Sequence, residues 1–212
     1  PSLARVPHNN VMYDVVFVGT GGFLWISDTE DTGVNSFYAI ADDLSTPRGI
    51  VRTNGALVKH VLTSGVSKDG RNVLTNSNKT VDWATKAGWY IDYPNIGERS
   101  FTDPAIALGT ITFTTNIPKT GDPCSGGGVS WLYELDWRTG GSVLTAEQTS
   151  DGERISASFF ANEYATRGVV VQLLDGKLVS LVQLNNGKKI SDQTSIIETV
   201  SGRRAGWRQI LE

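Results

Sequence analysis

The sequence contains little of the chemistry on which most enzymes depend. Its 212 residues include one cysteine, Cys124, and two histidines, His8 and His60. A single cysteine excludes a disulfide within the chain, so Cys124 is predicted to be a buried or free thiol or to pair with a cysteine outside this stretch. With so few histidine and cysteine ligands, a zinc site is excluded as well.

Charge and long apolar runs are also scarce. Charged residues make up 19% of the chain and the formal net charge is −3. The basic excess typical of proteins that bind nucleic acid is therefore missing. No apolar run approaches the roughly eighteen residues of a transmembrane helix, so no membrane span is expected. The chain begins at Pro1 without the apolar core of a signal peptide, which indicates a processed or cut N-terminus.

Glycine and tryptophan, in contrast, are abundant, at 23 and 6 residues. Together with the low charge they favour short strands joined by tight turns over helices. Strands are predicted at residues 15–18 (VVFV) and 110–115 (TITFTT). Residues 169–174 and 177–182 flank an Asp-Gly turn and predict a hairpin, and residues 185–187 (NNG) predict a second hairpin directly after it. The fold class is therefore predicted to be all-β.

Aromatic or aliphatic strands that close on a glycine recur along the chain. Four such segments lie at residues 23–33, 89–97, 131–140 and 178–187. Their closing glycines are 64, 43 and 47 residues apart, and periods of about 40–50 residues are typical of the blades of a β-propeller. The chain is therefore predicted to supply about four blades of an incomplete ring, with a loop insertion at residues 64–80. A β-sandwich in which aromatic hairpins recur by chance is the alternative.

Two glycine-rich segments look like functional loops but lack the partners that such loops need. Residues 19–22 (GTGG) follow an apolar strand, but the third glycine of a dinucleotide fingerprint is missing and residues 25–28 are predicted to continue as a strand. Residues 121–128 (GDPCSGGG) resemble the loop around a protease nucleophile, which requires a histidine base. His8 lies in a polar stretch, and His60 lies in a strand that is predicted to point it to solvent. Both the dinucleotide-binding loop and the protease nucleophile are therefore rejected.

An acidic string offers a weak candidate for a metal site. The sequence DTEDTG places Asp28, Glu30 and Asp31 close together, as in a loop that binds calcium. Asp28, Glu30 and Gly33 match positions one, three and six of an EF-hand-like loop. The pattern then fails, because Asp31 falls at position four and Ala39 stands at position twelve, where glutamate is required. A solvated hairpin turn is the alternative interpretation.

The tryptophans admit two interpretations. Large aromatic side chains fill the space between propeller blades, which predicts a role in the core. Exposed tryptophans would instead serve as platforms on which sugars stack, and the candidates are Trp25, Trp89 and Trp131. Burial of these three side chains would remove the main support for carbohydrate binding.

A series of motifs runs through nearly the whole chain. They are residues 15–24 (VVFVGTGGFL), 35–40 (NSFYAI), 86–92 (KAGWYID), 97–99 (GER), 113–118 (FTTNIP), 122–128 (DPCSGGG), 131–136 (WLYELD), 139–141 (TGG) and 207–210 (WRQI). Their order resembles that of the C-terminal β-propeller of the PilY1/PilC family of type IV pilus proteins. No single motif is decisive, but the order is specific. The resemblance implies that residues 1–212 are the C-terminal part of such a propeller.

The resemblance further implies a secreted, non-enzymatic protein at the pilus tip or outer membrane of a Gram-negative bacterium. Such proteins promote pilus assembly, oppose retraction and contribute to adhesion. The implied partners are pilins and minor pilins, the rest of the parent propeller, and host or abiotic surfaces. Family members bind calcium through an acidic propeller loop, but that loop lies upstream of the matched region. No cofactor is therefore expected in this chain, and calcium only in the parent protein.

Two other classes of propeller stay open. Residues 133–144 (YELDWRTGGSVL) resemble the blade-docking repeat of quinone-cofactor (PQQ-type) dehydrogenases. An adjacent cysteine pair and a clear general base beside a calcium cage, which such enzymes use, are missing. A carbohydrate-binding propeller is the other class. The leading prediction is a rigid scaffold that presents loops to pilins or to a surface.

Overall fold

The computed structural model describes residues 1–42, 51–119, 127–173 and 177–194. Within these ranges the chain forms β-strands and one short 3-10 helix, Ile26–Thr29, but no α-helix. The predicted all-β class is therefore confirmed. The strands are β1 (Ser2–His8), β2 (Val11–Gly19), β3 (Ser36–Ala41), β4 (Leu57–His60), β5 (Leu62–Val66), β6 (Asn72–Asn76), β7 (Gly88–Asp92), β8 (Ala105–Ala107), β9 (Thr110–Pro118), β10 (Gly127–Asp136), β11 (Ile155–Glu163), β12 (Val169–Gln172), β13 (Leu178–Gln183) and β14 (Lys189–Gln193).

The strands form three sheets, none of which closes on itself within the described ranges. Sheet 1 has the order β1-β2-β3-β7-β4, sheet 2 the order β5-β6-β11-β10-β9-β8, and sheet 3 the order β12-β13-β14. Both predicted C-terminal hairpins are confirmed, because β13 pairs antiparallel with β12 and with β14. The turn between β12 and β13, at residues 174–176, lies outside the described residues.

One edge strand of each sheet lies beside an edge strand of the next. β1 contacts β8, and β8 contacts β12. These three strands line a groove whose walls include Leu3, Ile106 and Val169. In sheet 2 the chain then moves away from the groove one strand at a time, from β8 to β11. The three sheets thus meet at a common edge.

Aromatic side chains fill the space between sheets 1 and 2. Phe37 of β3 stacks on Phe113 of β9 with ring centroids 3.9 Å apart, and Phe113 stacks on Tyr133 of β10 at 4.8 Å. Trp89 of β7 is fully buried and packs against Phe37 and Phe17. Each aromatic pair contributes about 0.5–1.5 kcal/mol beyond the burial of its area. This cluster therefore ties the two sheets together.

The turn between β10 and β11, residues 136–141, is held by side chains from distant parts of the chain, and we call it the docking turn. Each backbone carbonyl of residues 137–140 accepts a hydrogen bond from one such side chain. In chain order of the acceptors, the donors are Trp89 Nε1 (3.1 Å), Trp83 Nε1 (2.9 Å), His60 Nε2 (2.7 Å) and Asn76 Nδ2 (2.9 Å). Because buried carbonyls are costly when unpaired, these donors hold the docking turn of sheet 2 against β4 and β7 of sheet 1, against β6 of its own sheet and against the segment that contains Trp83.

His60 is buried, so the prediction that it points to solvent is wrong. Its imidazole lies edge-on to the ring of Trp89, with centroids 6.4 Å apart. Burial lowers the pKa of His60, which favours the neutral ring. Since a carbonyl only accepts, the neutral ring carries its proton on Nε2 and donates it to Thr139.

The predicted loop insertion at residues 64–80 contains a hairpin instead. β5 pairs with β6, and β6 joins sheet 2 through β11. Val73 and Leu74 of β6 are buried in that sheet, and their burial outweighs the polar composition around them. The insertion between β3 and β7 thus adds β4 to sheet 1 and two strands to sheet 2.

The four glycine-closed segments occupy non-equivalent positions in the sheets. Residues 89–97 include most of β7, which is fourth from β1 in sheet 1. Residues 131–140 include most of β10, third from β8 in sheet 2, and residues 178–187 include β13, second in sheet 3. Residues 23–33 contain no strand. The regular spacing therefore marks recurring turn chemistry and not equivalent positions in a repeated unit.

Candidate functional site

Residues 20–35 connect β2 to β3 and form an irregular segment that we call the 20–35 loop. The predicted strand at residues 25–28 is wrong, since Ile26–Thr29 form a 3-10 helix. The Asp28 carboxylate accepts hydrogen bonds from the backbone N–H groups of Leu24 (2.7 Å) and Trp25 (3.0 Å). A strand would have used such groups in a sheet, so the side chain of Asp28 replaces strand pairing here.

Arg99 occupies the centre of the 20–35 loop. Its side chain is buried, and its guanidinium donates hydrogen bonds to four backbone carbonyls. The acceptors are Gly97 (from Nε, 2.9 Å), Gly22 (from Nη1, 3.0 Å), Asp28 (also from Nη1) and Asp31 (from Nη2, 2.8 Å). A guanidinium carries five N–H donors in one plane, which suits carbonyls arranged around it. One side chain from another part of the chain thus holds both halves of the loop.

Close backbone approach keeps Arg99 in this position. The backbone N–H of Ser100 donates to the carbonyl of Thr20 (3.0 Å). Gly21 has a φ of +109°, and a Cβ atom there would lie 2.3 Å from Cβ of Arg99. Any side chain at position 21 would therefore displace the arginine. The glycine-rich segment serves this approach, which agrees with the rejection of a dinucleotide loop.

The three residues of the predicted calcium loop lie on the 20–35 loop, but their carboxylates have different surroundings. The backbone N–H groups of Trp25 and Leu24 hold the pKa of Asp28 below its usual value. Asp31 Oδ1 accepts a hydrogen bond from the backbone N–H of residue 33 (2.8 Å), and Glu30 is exposed. The carbonyls of Asp28 and Asp31 are bound by the guanidinium.

The carboxylates of Asp28, Glu30 and Asp31 do not converge on one point. Across the described ranges, no group of three or more His, Cys, Asp or Glu side chains is placed to hold a metal ion. The cation at the centre of the loop is the guanidinium of Arg99. Calcium at Asp28, Glu30 and Asp31 stays a prediction.

Three consecutive large apolar side chains project from the tip of the loop. Leu24, Trp25 and Ile26 are 86%, 75% and 68% exposed. Val34, also on the loop, and Ile96, on the segment beside it, are exposed as well. Single exposed apolar residues are ordinary, whereas a contiguous apolar patch marks a binding surface. We refer to Leu24, Trp25 and Ile26 as the apolar tip.

The residue before the apolar tip anchors it to the body of the protein. The ring of Phe23 stacks on that of Phe101, with centroids 5.2 Å apart, and packs against the ring of Tyr164 at 5.3 Å. At the other end, Thr29 is buried and its hydroxyl donates to the carbonyl of Ile26 (2.7 Å). The apolar tip is therefore presented on a fixed support.

The three candidate tryptophans differ in burial, which separates the core-packing hypothesis from the sugar-stacking hypothesis. Trp89 and Trp131 are buried in the core, as the packing interpretation predicts, and neither is available to stack on a sugar. Trp25 is exposed, so the core interpretation is wrong for this residue. The sequence carried a signal for it, because FLWI shows no period-two alternation and stands between a glycine-rich turn and an acidic string. Cys124 and Trp207 lie outside the described residues.

Glu98, the neighbour of Arg99, points into the core between sheets 1 and 2. Its carboxyl is fully buried and accepts hydrogen bonds from Asn95 Nδ2 (2.7 Å), Tyr133 OH (2.8 Å) and Thr115 Oγ1. Burial raises the pKa of Glu98 in spite of these three donors. Adjacent residues thus have separate roles, because Arg99 holds the 20–35 loop and Glu98 holds β9 and β10.

The raised pKa of Glu98 predicts a pH-dependent stability. The ordinary pKa of a glutamate side chain is 4.5. Just above this pH the unfolded chain loses the proton of Glu98, whereas the folded chain still holds it. The free energy of unfolding therefore falls as the pH rises from 4.5 to the folded-state pKa, by about 1.4 kcal/mol for each pH unit in that interval. Glu98→Gln removes this contribution, so we expect the variant to gain stability relative to the natural chain as the pH rises.

Urea unfolding of both proteins across this pH range measures the difference. Taking the difference cancels the other titrating groups, including His60, whose lowered pKa acts in the opposite direction. Glu98→Leu is the matched disruptive variant, because it leaves the donors of Asn95, Tyr133 and Thr115 unpaired and should destabilise the chain at every pH. A constant difference between the natural chain and Glu98→Gln would contradict the prediction.

Comparison with known proteins shows that the chain is similar to curated pilus biogenesis factors. It is 26% identical over 136 residues to the type IV pilus biogenesis factor PilY1 homolog of Xylella fastidiosa (strain Temecula1), covering 61% of this chain and 9% of that protein. It is 32% identical over 163 residues to the type IV pilus biogenesis factor PilY1 of Pseudomonas aeruginosa strains PAO1 and PAK, covering 66% of this chain and 14% of each protein. No family model and no solved structure matches the chain. The chain therefore spans only a small part of the length of its curated relatives.

Proposed function

Since this chain is PilY1-like, homologous over about two thirds of its length to type IV pilus biogenesis factors, we propose that it is a non-enzymatic module in the assembly of type IV pili. The homology is the observation that carries the proposal, and it supports a pilus-related role at the cell surface. We place the module at the pilus tip or outer membrane, where it contacts pilins, minor pilins or a surface to which the cell adheres.

We further propose that the three sheets are blades of a propeller whose other blades belong to the parent protein. Two features support this. The edge strands β1, β8 and β12 lie next to one another, as the inner strands of successive blades do. Sheet 2 contains a four-stranded run, β8-β9-β10-β11, in chain order from that edge outward, which is the order within a blade. The docking turn would then lock two successive blades together.

A scaffold role agrees with how the side chains are used. The aromatic residues between sheets 1 and 2 pack on one another, and the backbone carbonyls of the docking turn and the carboxyl of Glu98 are paired within the chain. The 20–35 loop, held by Arg99, is one surface that the described residues present outward. Among the described residues no helix is long and apolar enough to cross a membrane.

The proposal is tested in the bacterium that carries the gene. An in-frame deletion of residues 1–212 should strongly reduce sheared surface pilin while total pilin stays unchanged. The same deletion in a strain that cannot retract its pili separates assembly from retraction. The parent protein is measured by immunoblot, so that loss of the module is distinguished from loss of the whole protein. Normal piliation together with normal adhesion would contradict the proposal, as would alcohol-dependent dye reduction by the purified protein with added quinone.

A further inference from the structure

The apolar tip of the 20–35 loop is exposed, contiguous and rigid, and nothing in the proposed scaffold role requires it to be apolar. We propose that it is a docking site for a partner protein that carries an apolar pocket with lysine or arginine side chains around its rim. The inference goes beyond the proposed function, because it depends only on the geometry and charge of this loop.

Preorganisation is the first argument. The polar atoms around the apolar tip are bonded within the loop: Asp28 binds the N–H groups of Leu24 and Trp25, and Thr29 binds the carbonyl of Ile26. The guanidinium of Arg99 fixes the loop behind them. The exposed side chains of Leu24, Trp25 and Ile26 are thus carried on a backbone that is already held in place. Binding therefore costs little ordering of the chain, and a central tryptophan is the residue type that contributes most to such interfaces.

Charge complementarity selects the partner. The 20–35 loop contains three carboxylates, of Asp28, Glu30 and Asp31, and no lysine or arginine. Glu30 and Asp31 are exposed, so they form an acidic border beside the apolar tip. A pocket with a basic rim would pair with this border and gain both orientation and association rate.

The same charges argue against two other occupants. A second copy of the chain would bring identical acidic borders together in a symmetric contact, and like charges at an interface are unfavourable. An anionic membrane surface would repel the carboxylates, since membrane-binding segments carry lysine and arginine beside their apolar residues. Both occupants are kept as outcomes of the test.

The test uses the 212-residue chain labelled with 5-fluorotryptophan, in which Trp25→Phe identifies the Trp25 signal in the fluorine NMR spectrum. The probe is a synthetic amphipathic helical peptide with leucine on one face and lysine on the other, and its twin carries glutamate in place of lysine. We expect the lysine peptide to shift the Trp25 signal and to bind about tenfold more tightly than the twin. Added salt should weaken the binding of the lysine peptide.

Matched variants decide whether the apolar tip carries the binding. Leu24→Ser and Ile26→Ser should each lower the affinity for the lysine peptide about tenfold. Leu144→Ser, which removes an equally large side chain that is 70% exposed elsewhere, should leave binding unchanged. Glu30→Lys combined with Asp31→Lys should reverse the preference between the two peptides. Thermal unfolding confirms that each variant is folded.

Several results would overturn the proposal. Equal binding of the two peptides, or equal losses for Leu24→Ser and Leu144→Ser, would show general adhesion of an amphipathic probe. A Trp25 signal that moves with protein concentration alone would identify a second copy as the occupant. A signal that responds to phosphatidylglycerol vesicles and to neither peptide would identify a lipid surface. None of these outcomes bears on whether deletion of the module reduces piliation.

Discussion

Gly140→Ala should unfold the docking turn. Gly140 has a φ of +74°, and a Cβ atom at this position would lie 2.4 Å from Cδ2 of Trp89. Trp89 is itself fully buried and donates to the carbonyl of Trp137 (3.1 Å), so it has no room to retreat. Positive φ and overpacking together cost about 2–5 kcal/mol. In a domain of this size, that lowers the midpoint of thermal unfolding by about 4–20 °C.

Gly152→Ala is the matched control for this substitution. Gly152 has a φ of +84°, and a Cβ atom there would meet nothing within 4 Å. It therefore carries the cost of the backbone conformation alone, about 1–2 kcal/mol. Thermal and urea unfolding of the two variants separate the steric cost from the backbone cost. Equal destabilisation by both substitutions would show that a Cβ atom at position 140 meets no steric resistance from Trp89.

Arg99→Leu is expected to be the second strongly destabilising substitution. It removes the donors of four backbone carbonyls and leaves no cation at the centre of the 20–35 loop. Each buried polar group that loses its partner costs about 1–3 kcal/mol, and because water reaches part of the loop we expect a total of about 3–5 kcal/mol. The lost bonds should also free the loop locally, so the backbone N–H groups of Leu24 and Trp25 should exchange with solvent faster than in the natural chain.

Arg5→Leu supplies the control for the loss of an arginine. Arg5 is 72% exposed and pairs with Asp14 at 2.8 Å on the surface, so its loss should change the free energy of unfolding by about 0–1 kcal/mol. Arg99→Lys keeps the charge but has neither the planar geometry nor enough donors for four carbonyls. Its loss in the free energy of unfolding should therefore lie between those of Arg99→Leu and Arg5→Leu. Chemical denaturation and hydrogen exchange measure both effects. If Arg99→Leu were as stable as Arg5→Leu, Arg99 would not be what holds the loop.

Much of the fold class could be predicted from local pattern. The β-branched and aromatic run of β9 and the turn chemistry around β13 are signals within a few residues, and the structure places strands at both. The same holds for the order of family motifs, which needs no knowledge of contacts. The packing of Trp89 and Trp131 also follows from their size, because a large aromatic in a strand gains most when it is buried.

The three wrong predictions, for residues 25–28, His60 and residues 64–80, share one cause. Residues 25–28 look like a strand until Arg99, 71 residues after Asp28, binds the carbonyl of Asp28 and the apolar tip turns outward. His60 looks exposed until the docking turn, 79 residues later, presents the carbonyl of Thr139. Residues 64–80 look like a loop until β11 supplies the neighbour for β6. In each case the deciding partner is far away in the sequence.

Local strand and turn preferences, together with the order of the motifs, are enough to establish that this protein is all-β and related to pilus biogenesis factors. Which polar groups are paired and which apolar groups stay exposed depends on the tertiary structure. Hydrogen bonds such as those from Arg99 to the 20–35 loop and from His60 to the docking turn join segments more than 60 residues apart, and no short window of sequence contains both partners. The exposure of the apolar tip is a consequence of those pairings, because Arg99 holds the loop in the conformation that turns these side chains outward.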